Sequence, residues 1–245
     1  MEFLAVCHVH SNWSYDGSWT LEALAERFSR RGFRILMMTE HDRGFSAARL
    51  DEYREACARA SSERILVVPG IEYSDASNRV HVLVWGHVPF LGEGLLTGEM
   101  LDGVRNADGV AVLAHPSRRD AWKSFEASWS ERLLGIEIWN RKYDGWSPSK
   151  KAPELLASTK TIPFVGLDFH TVRQSFPLGM VLDLRPEITE ASVLESLKSR
   201  RCKAKAFGRL MNSSVIRGAV PVLGMAETSR RMAASLVRRV RVQKK

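Results

Sequence analysis

Short β-branched segments alternate with amphipathic helical segments along most of this 245-residue chain. Such an alternation is typical of a parallel sheet wrapped by helices, because consecutive parallel strands need a long crossover connection. The pattern predicts an α/β fold, and the chain is long enough for one α/β barrel or two small domains. Strands are predicted at 3–9, 33–39, 65–69, 80–85, 110–114, 134–139, 163–167, 179–184 and 203–207, and helices at 20–32, 46–61, 99–107, 153–159, 189–200 and 222–241.

Composition restricts where the protein works. The chain has no run of 18 apolar residues and no basic leader before an apolar segment, which predicts neither a membrane span nor a signal peptide. Its three cysteines, Cys7, Cys57 and Cys202, lack the paired spacing of a disulfide framework or a thiolate zinc site. We therefore expect a cytoplasmic protein with reduced thiols.

The net charge of +8 is unevenly distributed. Residues 1–197 carry a net charge of −5 and residues 198–245 a net charge of +13, with Glu227 as the one acid of the second segment. In the predicted terminal helix, one face is apolar and the arginines lie away from it. The apolar face holds Val222, Met225, Met232, Ala233, Leu236 and Val240, and the arginines are Arg230, Arg231, Arg238 and Arg241. Two interpretations remain open: a docked helix with a solvated basic face, or a contact site for nucleic acid or an anionic membrane.

Histidines and acids follow the predicted strands. His8 and His10 end the first strand, where regular pleating would direct both side chains to one side. The same position after later strands is held by His41, Glu72, His115, Asp168 and His170. The carboxyl ends of the strands form one rim in a closed α/β barrel, so these scattered residues would converge there.

Imidazole and carboxylate ligands without thiolate suit zinc, manganese or iron. Nine candidate ligands are too many for one ion and indicate a cluster of two or three: His8, His10, Asp16, His41, Glu72, His81, His115, Asp168 and His170. Each has a structural alternative, such as a buried core histidine for His81 or a helix cap for Asp168. These alternatives are improbable together, because six of the seven histidines fit one scheme.

An ordered set of motifs resembles the PHP family, named for its polymerase-associated and histidinol-phosphatase members. The motifs are His8-Val9-His10 with Asp16-Gly17, Thr39-Glu40-His41-Asp42, Pro69-Gly70-Ile71-Glu72, Val80-His81-Val82-Leu83, Ala114-His115-Pro116, and Gly166-Leu167-Asp168-Phe169-His170 with Leu178-Gly179. The resemblance implies a distorted seven-stranded (β/α)7 barrel with a metal cluster at the C-terminal rim of the strands. We expect this barrel over residues 1–210, with the basic segment 211–245 and its amphipathic helix packed on it.

The resemblance also implies how three divalent ions would be held. His8, His10, Glu72 and Asp168 would bind the first ion, Glu72, His81 and His115 the second, and Asp16, His41 and His170 the third. Glu72 would bridge two ions. The chain departs from the family pattern at Glu40, where an aspartate is usual, around Asp168, and in the short distance between His81 and His115.

The expected activity is a metal-dependent phosphoesterase acting on a small phosphomonoester, such as a nucleoside bisphosphate or a sugar or amino-alcohol phosphate. A metal-bridging hydroxide would attack phosphorus. His41, His115 and His170 are candidates for assisting proton transfer beside Glu72, although a metal-bound imidazole is a poor free base. Arg43, Arg118 and Arg173 follow the motifs and either orient the phosphate or are solvated loop charges.

Three other functions remain open at this stage. The basic C-terminal segment favours an exonuclease acting on short nucleic acids. A C–N bond hydrolase would use the same type of site. A metal-stabilised binding or regulatory module without catalysis is the third, although an intact ligand set speaks against it.

Overall fold

Twelve strands and six α-helices alternate in the computed structural model, which describes residues 1–185 and 187–243, without the side chains of residues 152, 213, 214, 217 and 236–243. The strands are β1 Glu2–Val9, β2 Ile35–Met38, β3 Glu40–His41, β4 Leu66–Val68, β5 Gly70–Ser74, β6 His81–Trp85, β7 Val110–Leu113, β8 Gly135–Asn140, β9 Ile162–Gly166, β10 Leu178–Asp183, β11 Cys202–Ala206 and β12 Arg209–Leu210. The helices are α1 Leu21–Ser29, α2 Ala47–Ala60, α3 Thr97–Asn106, α4 Ala152–Ala157, α5 Glu190–Lys198 and α6 Ser213–Gln243.

Local side-chain chemistry starts the helices where the sequence predicts. The Thr20 hydroxyl accepts a hydrogen bond from the Ala23 amide, and the Ser46 hydroxyl accepts one from Arg49, so α1 and α2 are capped at their first turns. Leu24 and Phe28 of α1 are buried against the strands. The predicted strands and helices are present, but α6 begins at Ser213, nine residues before its predicted start at Val222, and β3, β5 and β12 were not predicted as separate elements.

Strand pairing divides the fold into two six-stranded sheets. Their orders are β12-β11-β10-β1-β2-β4 and β3-β5-β6-β7-β8-β9. The prediction of a parallel sheet is wrong in part, because β1 pairs antiparallel with β10, and β5 pairs antiparallel with β6. A tight turn explains the second case: Asp75 accepts hydrogen bonds from the Arg79 and Val80 amides, and a connection this short reverses the chain direction.

The two sheets are joined at both sides. Thr39 alone separates β2 from β3, and Pro69 alone separates β4 from β5, so one parallel pairing continues into the other. At the second junction between the sheets, the Phe169 amide donates to the His8 carbonyl at 3.0 Å, and the His10 amide donates to the Phe169 carbonyl at 3.0 Å. The α/β class is confirmed, whereas the pairing of the described strands gives two sheets and the closed seven-stranded barrel stays a prediction.

The C-terminal helix packs with a different face from the predicted one. Val222, Met225 and Met232 are 62–67% exposed, whereas Glu227 is buried. Glu227 accepts hydrogen bonds from the Trp146 amide, Arg230 and Arg231, and these donors compensate for burying its charge. Arg230 and Arg231 bind Glu227, yet their side chains are 35% and 58% exposed, so the predicted basic face stays partly solvated at these two residues. The side chains of Leu236, Arg238, Val240 and Arg241 lie outside the described residues.

Among the described residues, no helix combines the length and the apolar character needed to cross a bilayer.

Candidate metal centre

All nine predicted ligands lie in one cluster. Each has a nitrogen or carboxylate oxygen within 4.0 Å of an atom of opposite type from another member. His81 reaches the cluster although it begins a strand, because β6 runs antiparallel to β5 and its first residue comes to the edge where β7 and β9 end. Mixed strand direction therefore still delivers the ligands to a single edge.

Glu72 lies at the centre of this cluster and is 1% exposed. Its Oε1 atom is 2.7 Å from His81 Nδ1 and 2.8 Å from His115 Nε2. Its Oε2 atom is 3.4 Å from His8 Nε2, 3.3 Å from His10 Nε2 and 3.2 Å from His41 Nδ1. The two oxygens thus face different sets of imidazoles, which is the arrangement a carboxylate needs to bridge two cations.

His8 and His10 share a second carboxylate. Asp168 Oδ1 is 4.0 Å from His8 Nε2 and 3.7 Å from His10 Nε2. Both nitrogens are buried, and neither makes a hydrogen bond with the described part of the chain. Buried unpaired nitrogens that face two carboxylates at this spacing fit a metal ion, since a cation would satisfy both groups.

Asp16 lies on the other side of His10. Its carboxylate is 2.9 Å from His170 Nε2 and 3.4 Å from His41 Nε2. The ligand atoms of His10, His41 and His170 lie within 4.8 Å of one another, so His10 adjoins this group as well. The contacts are compatible with a third ion at Asp16, and the assignment of ligands to individual ions stays a prediction.

Electrostatic coupling in the cluster is strong. Burial raises the pKa of Glu72, but His8, His81 and His115 together hold that pKa well below its usual range. Burial lowers the pKa of His170, yet its hydrogen bonds to Asp16 and Asp168 bring it to about 9. Burial and the neighbouring His41 and His170 lower the pKa of His10, which favours the neutral imidazole that binds metals.

Unusual backbone conformations aim three of the predicted ligands. His8, His115 and Asp168 have φ values of 61°, 23° and 48°. The pairing of β1 with β2 shifts register between Cys7 and Val9, so His8 occupies a bulge. The expectation that regular pleating aligns His8 with His10 is therefore wrong, and a bulge with left-handed backbone performs that task instead.

Glu137 of β8 is a site residue that the sequence analysis missed. It is fully buried, its Oε1 is 2.9 Å from His8 Nδ1, and its Oε2 accepts hydrogen bonds from the His115 main-chain amide and the Asn140 side-chain amide. Gly166 permits this position, because a Cβ there would overlap Glu137 Oε1. The available signal was an acid inside an otherwise apolar strand, which requires a polar partner.

Lys142 was missed as well. Its Nζ is 3.0 Å from Asp168 Oδ1 and 3.5 Å from His170 Nδ1, and it lines the cavity above the cluster. Asn140 positions this turn by accepting from the Lys142 amide. The signal was its location just after a predicted strand, which is the position used to identify the ligands.

The three predicted phosphate-binding arginines have different surroundings. Arg43 and Arg118 line the cavity. Arg118 donates to the Asn78 carbonyl and side chain and to the Tyr143 hydroxyl. Arg173 is exposed in a short 3₁₀ turn and is not among the described lining residues. The geometry therefore brings two of the three to the cluster.

The departure at Glu40 has a structural role. Its carboxylate accepts hydrogen bonds from the Ser11 amide, the Ser11 hydroxyl and the Ser14 hydroxyl. Ser14 Oγ in turn accepts from the His41 amide and lies 3.3 Å from His10 Nδ1. Glu40 therefore supports two predicted ligands through Ser14, without facing the cluster itself.

We expect Glu137→Gln to weaken metal binding by about 10- to 100-fold, because neutralising this partner makes His8 a poorer ligand and disturbs its orientation. Isothermal titration of the metal-free protein with Mn²⁺ or Zn²⁺ measures the change. Glu126→Gln, at an exposed glutamate, is the matched control. An unchanged affinity would contradict the role assigned to Glu137.

A family model matches part of this chain, and several solved structures share its fold. The PHP domain model matches residues 7–111. A two-domain protein of Bacteroides vulgatus, described as containing a predicted PHP-like metal-dependent phosphoesterase, is similar with a TM-score of 0.66 and 17% identity, over 89% of this chain and 68% of that chain. The lesion-specific endonuclease PfuEndoQ of Pyrococcus furiosus is similar with a TM-score of 0.61 and 15% identity, over 81% of this chain and 56% of that chain.

A third similar structure covers nearly all of both chains. PsfC of Pseudomonas syringae has a TM-score of 0.59 and 13% identity, over 95% of this chain and 99% of that chain. A search of curated proteins finds no match in sequence. At these identities the solved structures show a shared fold, and the predicted resemblance to the PHP family is confirmed, with residues 7–111 carrying the match to its model.

Proposed function

We propose that this protein is a metal-dependent phosphoesterase that hydrolyses a small phosphomonoester, such as a nucleoside bisphosphate or a sugar or amino-alcohol phosphate. The observation that carries the proposal is the division of Glu72 between two sets of imidazoles, beneath a cavity that Arg43, Arg118 and Lys142 line. Metal-binding groups at the base of this cavity and cationic side chains on its wall are suited to binding a phosphate dianion.

The proposed ligand sets are those implied by the family resemblance. His8, His10, Glu72 and Asp168 hold one divalent ion, Glu72, His81 and His115 a second, and Asp16, His41 and His170 a third. Bound divalent metals, whether zinc, manganese or iron, supply charge neutralisation and an activated water near neutral pH. The proposal includes a distorted seven-stranded barrel over residues 1–210, supported by the backbone hydrogen bonds between the ends of β1 and β9.

The chain's own residues divide the remaining work. Arg118 is held by Asn78 and Tyr143, so its charge is fixed at the cavity wall and orients the phosphate with little loss of side-chain entropy. Lys142 places an ammonium group beside Asp168, where it offsets negative charge near the reacting phosphate. Among the catalytic candidates, Glu72 contacts imidazoles from the centre of the cluster. His41, His115 and His170 each place a ring nitrogen within 4.0 Å of a carboxylate oxygen of the cluster.

Metal analysis combined with two substrate panels tests this function. We expect the purified protein to bind two or three equivalents of divalent metal, and to hydrolyse members of a phosphomonoester panel with no turnover of an amide panel. Turnover of amides alone would replace the proposal with a C–N hydrolase. Metal binding without activity in either panel would favour a binding or regulatory module.

Exonuclease action on short nucleic acids is a second candidate, favoured by one contact. Arg231 of the basic helix donates to the Tyr143 carbonyl, and the Tyr143 side chain lines the metal cavity. Part of the strongly basic C-terminal segment therefore adjoins the proposed reaction site.

Removal of residues 232–245 tests the role of the distal segment. We expect slower oligonucleotide turnover and a weaker salt dependence, because phosphate contacts release counterions, whereas a small chromogenic phosphoester is hydrolysed at the unchanged rate. The truncation retains Ile216 and Glu227, which dock the helix. Steady-state rates between 50 and 200 mM salt provide the measurement, and equal salt slopes for both proteins would reject the role.

A further inference from the structure

A second groove adjoins the metal cavity. The two share Arg118 and Tyr143, and the groove continues past Arg119, Trp122, Lys150 and Arg231. We call it the Trp122 groove. The shared residues form one continuous wall, since the Tyr143 ring lies 4.8 Å from the His115 ring and the Arg118 guanidinium lies 5.9 Å from the Tyr143 ring.

The Trp122 groove carries an excess of positive charge. Its lining includes five cations, at Arg118, Arg119, Lys150, Lys151 and Arg231, and three acids, at Asp120, Asp144 and Glu227. All three acids already have donors. Asp144 accepts from the Ser117 hydroxyl and the Asn140 amide, Lys123 binds Asp120, and Arg230 and Arg231 bind Glu227.

Three of the described cations lack such acidic partners: Arg118, which Asn78 and Tyr143 hold at the metal cavity, and also Arg119 and Lys150. Within the described residues, no carboxylate lies within 4.0 Å of the side-chain nitrogens of Arg119 or Lys150. Lys150 is exposed, and Arg119 NH1 donates to the Asn78 carbonyl at the junction with the metal cavity. These two side chains therefore offer charge to an anion from outside.

An aromatic surface accompanies this charge. The Trp122 ring has Lys151 Nζ 4.7 Å and Lys123 Nζ 5.4 Å from its centroid. Trp122 is partly buried and lines the groove, and the ammonium groups at its ring would attract the phosphates of a nucleotide, whose base carries a π face that can stack on an indole.

The segment that presents these residues has strained backbone. Arg119 and Asp120 are consecutive non-glycine residues with φ values of 48° and 56°. The conformation brings both Arg118 NH1 and Arg119 NH1 onto the Asn78 carbonyl. Residues held in the left-handed region cost free energy and concentrate at binding and catalytic sites.

We propose that the Trp122 groove binds the nucleotide portion of the substrate, with a base on Trp122 and a second phosphate group at Arg119 and Lys150, while the scissile phosphate lies at the metal centre. The inference rests on the proposed phosphoesterase function and narrows its substrate class. A nucleoside bisphosphate and a short single-stranded oligonucleotide share this chemistry, whereas a sugar or amino-alcohol phosphate lacks both the base and the second phosphate.

The test compares three substrates on the metal-loaded protein: 4-nitrophenyl phosphate, adenosine 3′,5′-bisphosphate and a 5′-phosphorylated tetranucleotide. The variant is Arg119→Asn with Lys150→Ala, in which asparagine tolerates the left-handed backbone. Lys203→Ala is the matched control, since Lys203 is an exposed lysine on β11 and lines neither cavity.

We expect the variant to raise KM for the nucleotide substrates by about tenfold and to leave kcat, and every parameter for 4-nitrophenyl phosphate, within twofold. The salt slope of tetranucleotide binding falls by roughly 0.7 for each phosphate that the variant no longer neutralises. A KM change confined to one nucleotide substrate identifies that source, and a change for both shows that the groove accepts either. An equal change for all three substrates, or none, overturns the proposal.

Binding separates failure of the groove from failure of the proposed function. A fluorescein-labelled phosphorothioate tetranucleotide reports affinity by anisotropy without requiring turnover. If the wild type hydrolyses no phosphoester, the proposed function fails, and the groove is still judged by whether the variant weakens binding about tenfold. Unchanged affinity in the variant overturns the groove, whatever the activity.

Discussion

Glu72→Gln is expected to lower kcat/KM for phosphomonoesters by roughly a thousandfold, while the protein remains folded. Glutamine keeps the shape of the side chain but presents one oxygen and one amide donor where two anionic oxygens now face five imidazoles. Loss of the bridging charge removes preorganised electrostatic stabilisation at the reacting phosphate. Steady-state kinetics, with metal content measured on the same preparation, provide the test.

Glu93→Gln is the control for this substitution. Glu93 lines the same cavity but accepts its hydrogen bond from the Gly44 amide, away from the imidazoles. We expect its kcat/KM to stay within a fewfold of the wild type. Full activity and metal content in Glu72→Gln would show that another group holds the ions together.

Metal removal is expected to lower thermal stability by a large margin. Glu72, Asp168 and several imidazoles are buried in contact with one another, and a metal-free cluster leaves charges and unpaired nitrogens in a low-dielectric environment. Ligands that bind only the native state contribute about 4 kcal/mol at a thousandfold excess over Kd. Calorimetry of chelated and reloaded protein measures the shift, which grows with metal concentration.

Two single variants show whether His10 and Asp16 bind the same ion. His10 Nε2 faces Glu72 and Asp168, whereas Asp16 faces His41 and His170. We expect His10→Ala and Asp16→Ala each to lose one ion, and the double variant to lose two. A double variant with the same metal content as either single variant would place both residues on one ion.

The ligand types were predictable from sequence because each motif follows or begins a strand. Placing them required the fold, since His81 reaches the cluster only through the antiparallel direction of β6. The supporting residues gave weaker signals. In the sequence, Glu137 is an acid within an apolar strand, and only the structure shows that Gly166 leaves room for its side chain. No motif distinguishes Lys142 from a solvated lysine, although its ammonium group binds Asp168.

The packing of the C-terminal helix was the least predictable feature. Hydrophobic periodicity indicates which apolar face of a helix can be buried, but it does not indicate that an acid with several hydrogen-bond donors will be buried. Glu227, held by Arg230, Arg231 and the Trp146 amide, therefore determines a docked side that periodicity assigned to solvent. Likewise, Arg173 follows a motif in sequence, but the turn after β9 carries it away from the cavity lining.

The hydrogen bonds between the ends of β1 and β9 have a consequence for metal capture. His8 and His10 contribute main-chain groups to Phe169 and side chains to the cluster, so the same residues join the sheets and face the carboxylates. These main-chain bonds fix the backbone that carries both imidazoles, so the junction between the sheets limits where the two side chains can lie. Ligands carried on a fixed backbone have less conformational freedom to lose when a divalent ion binds.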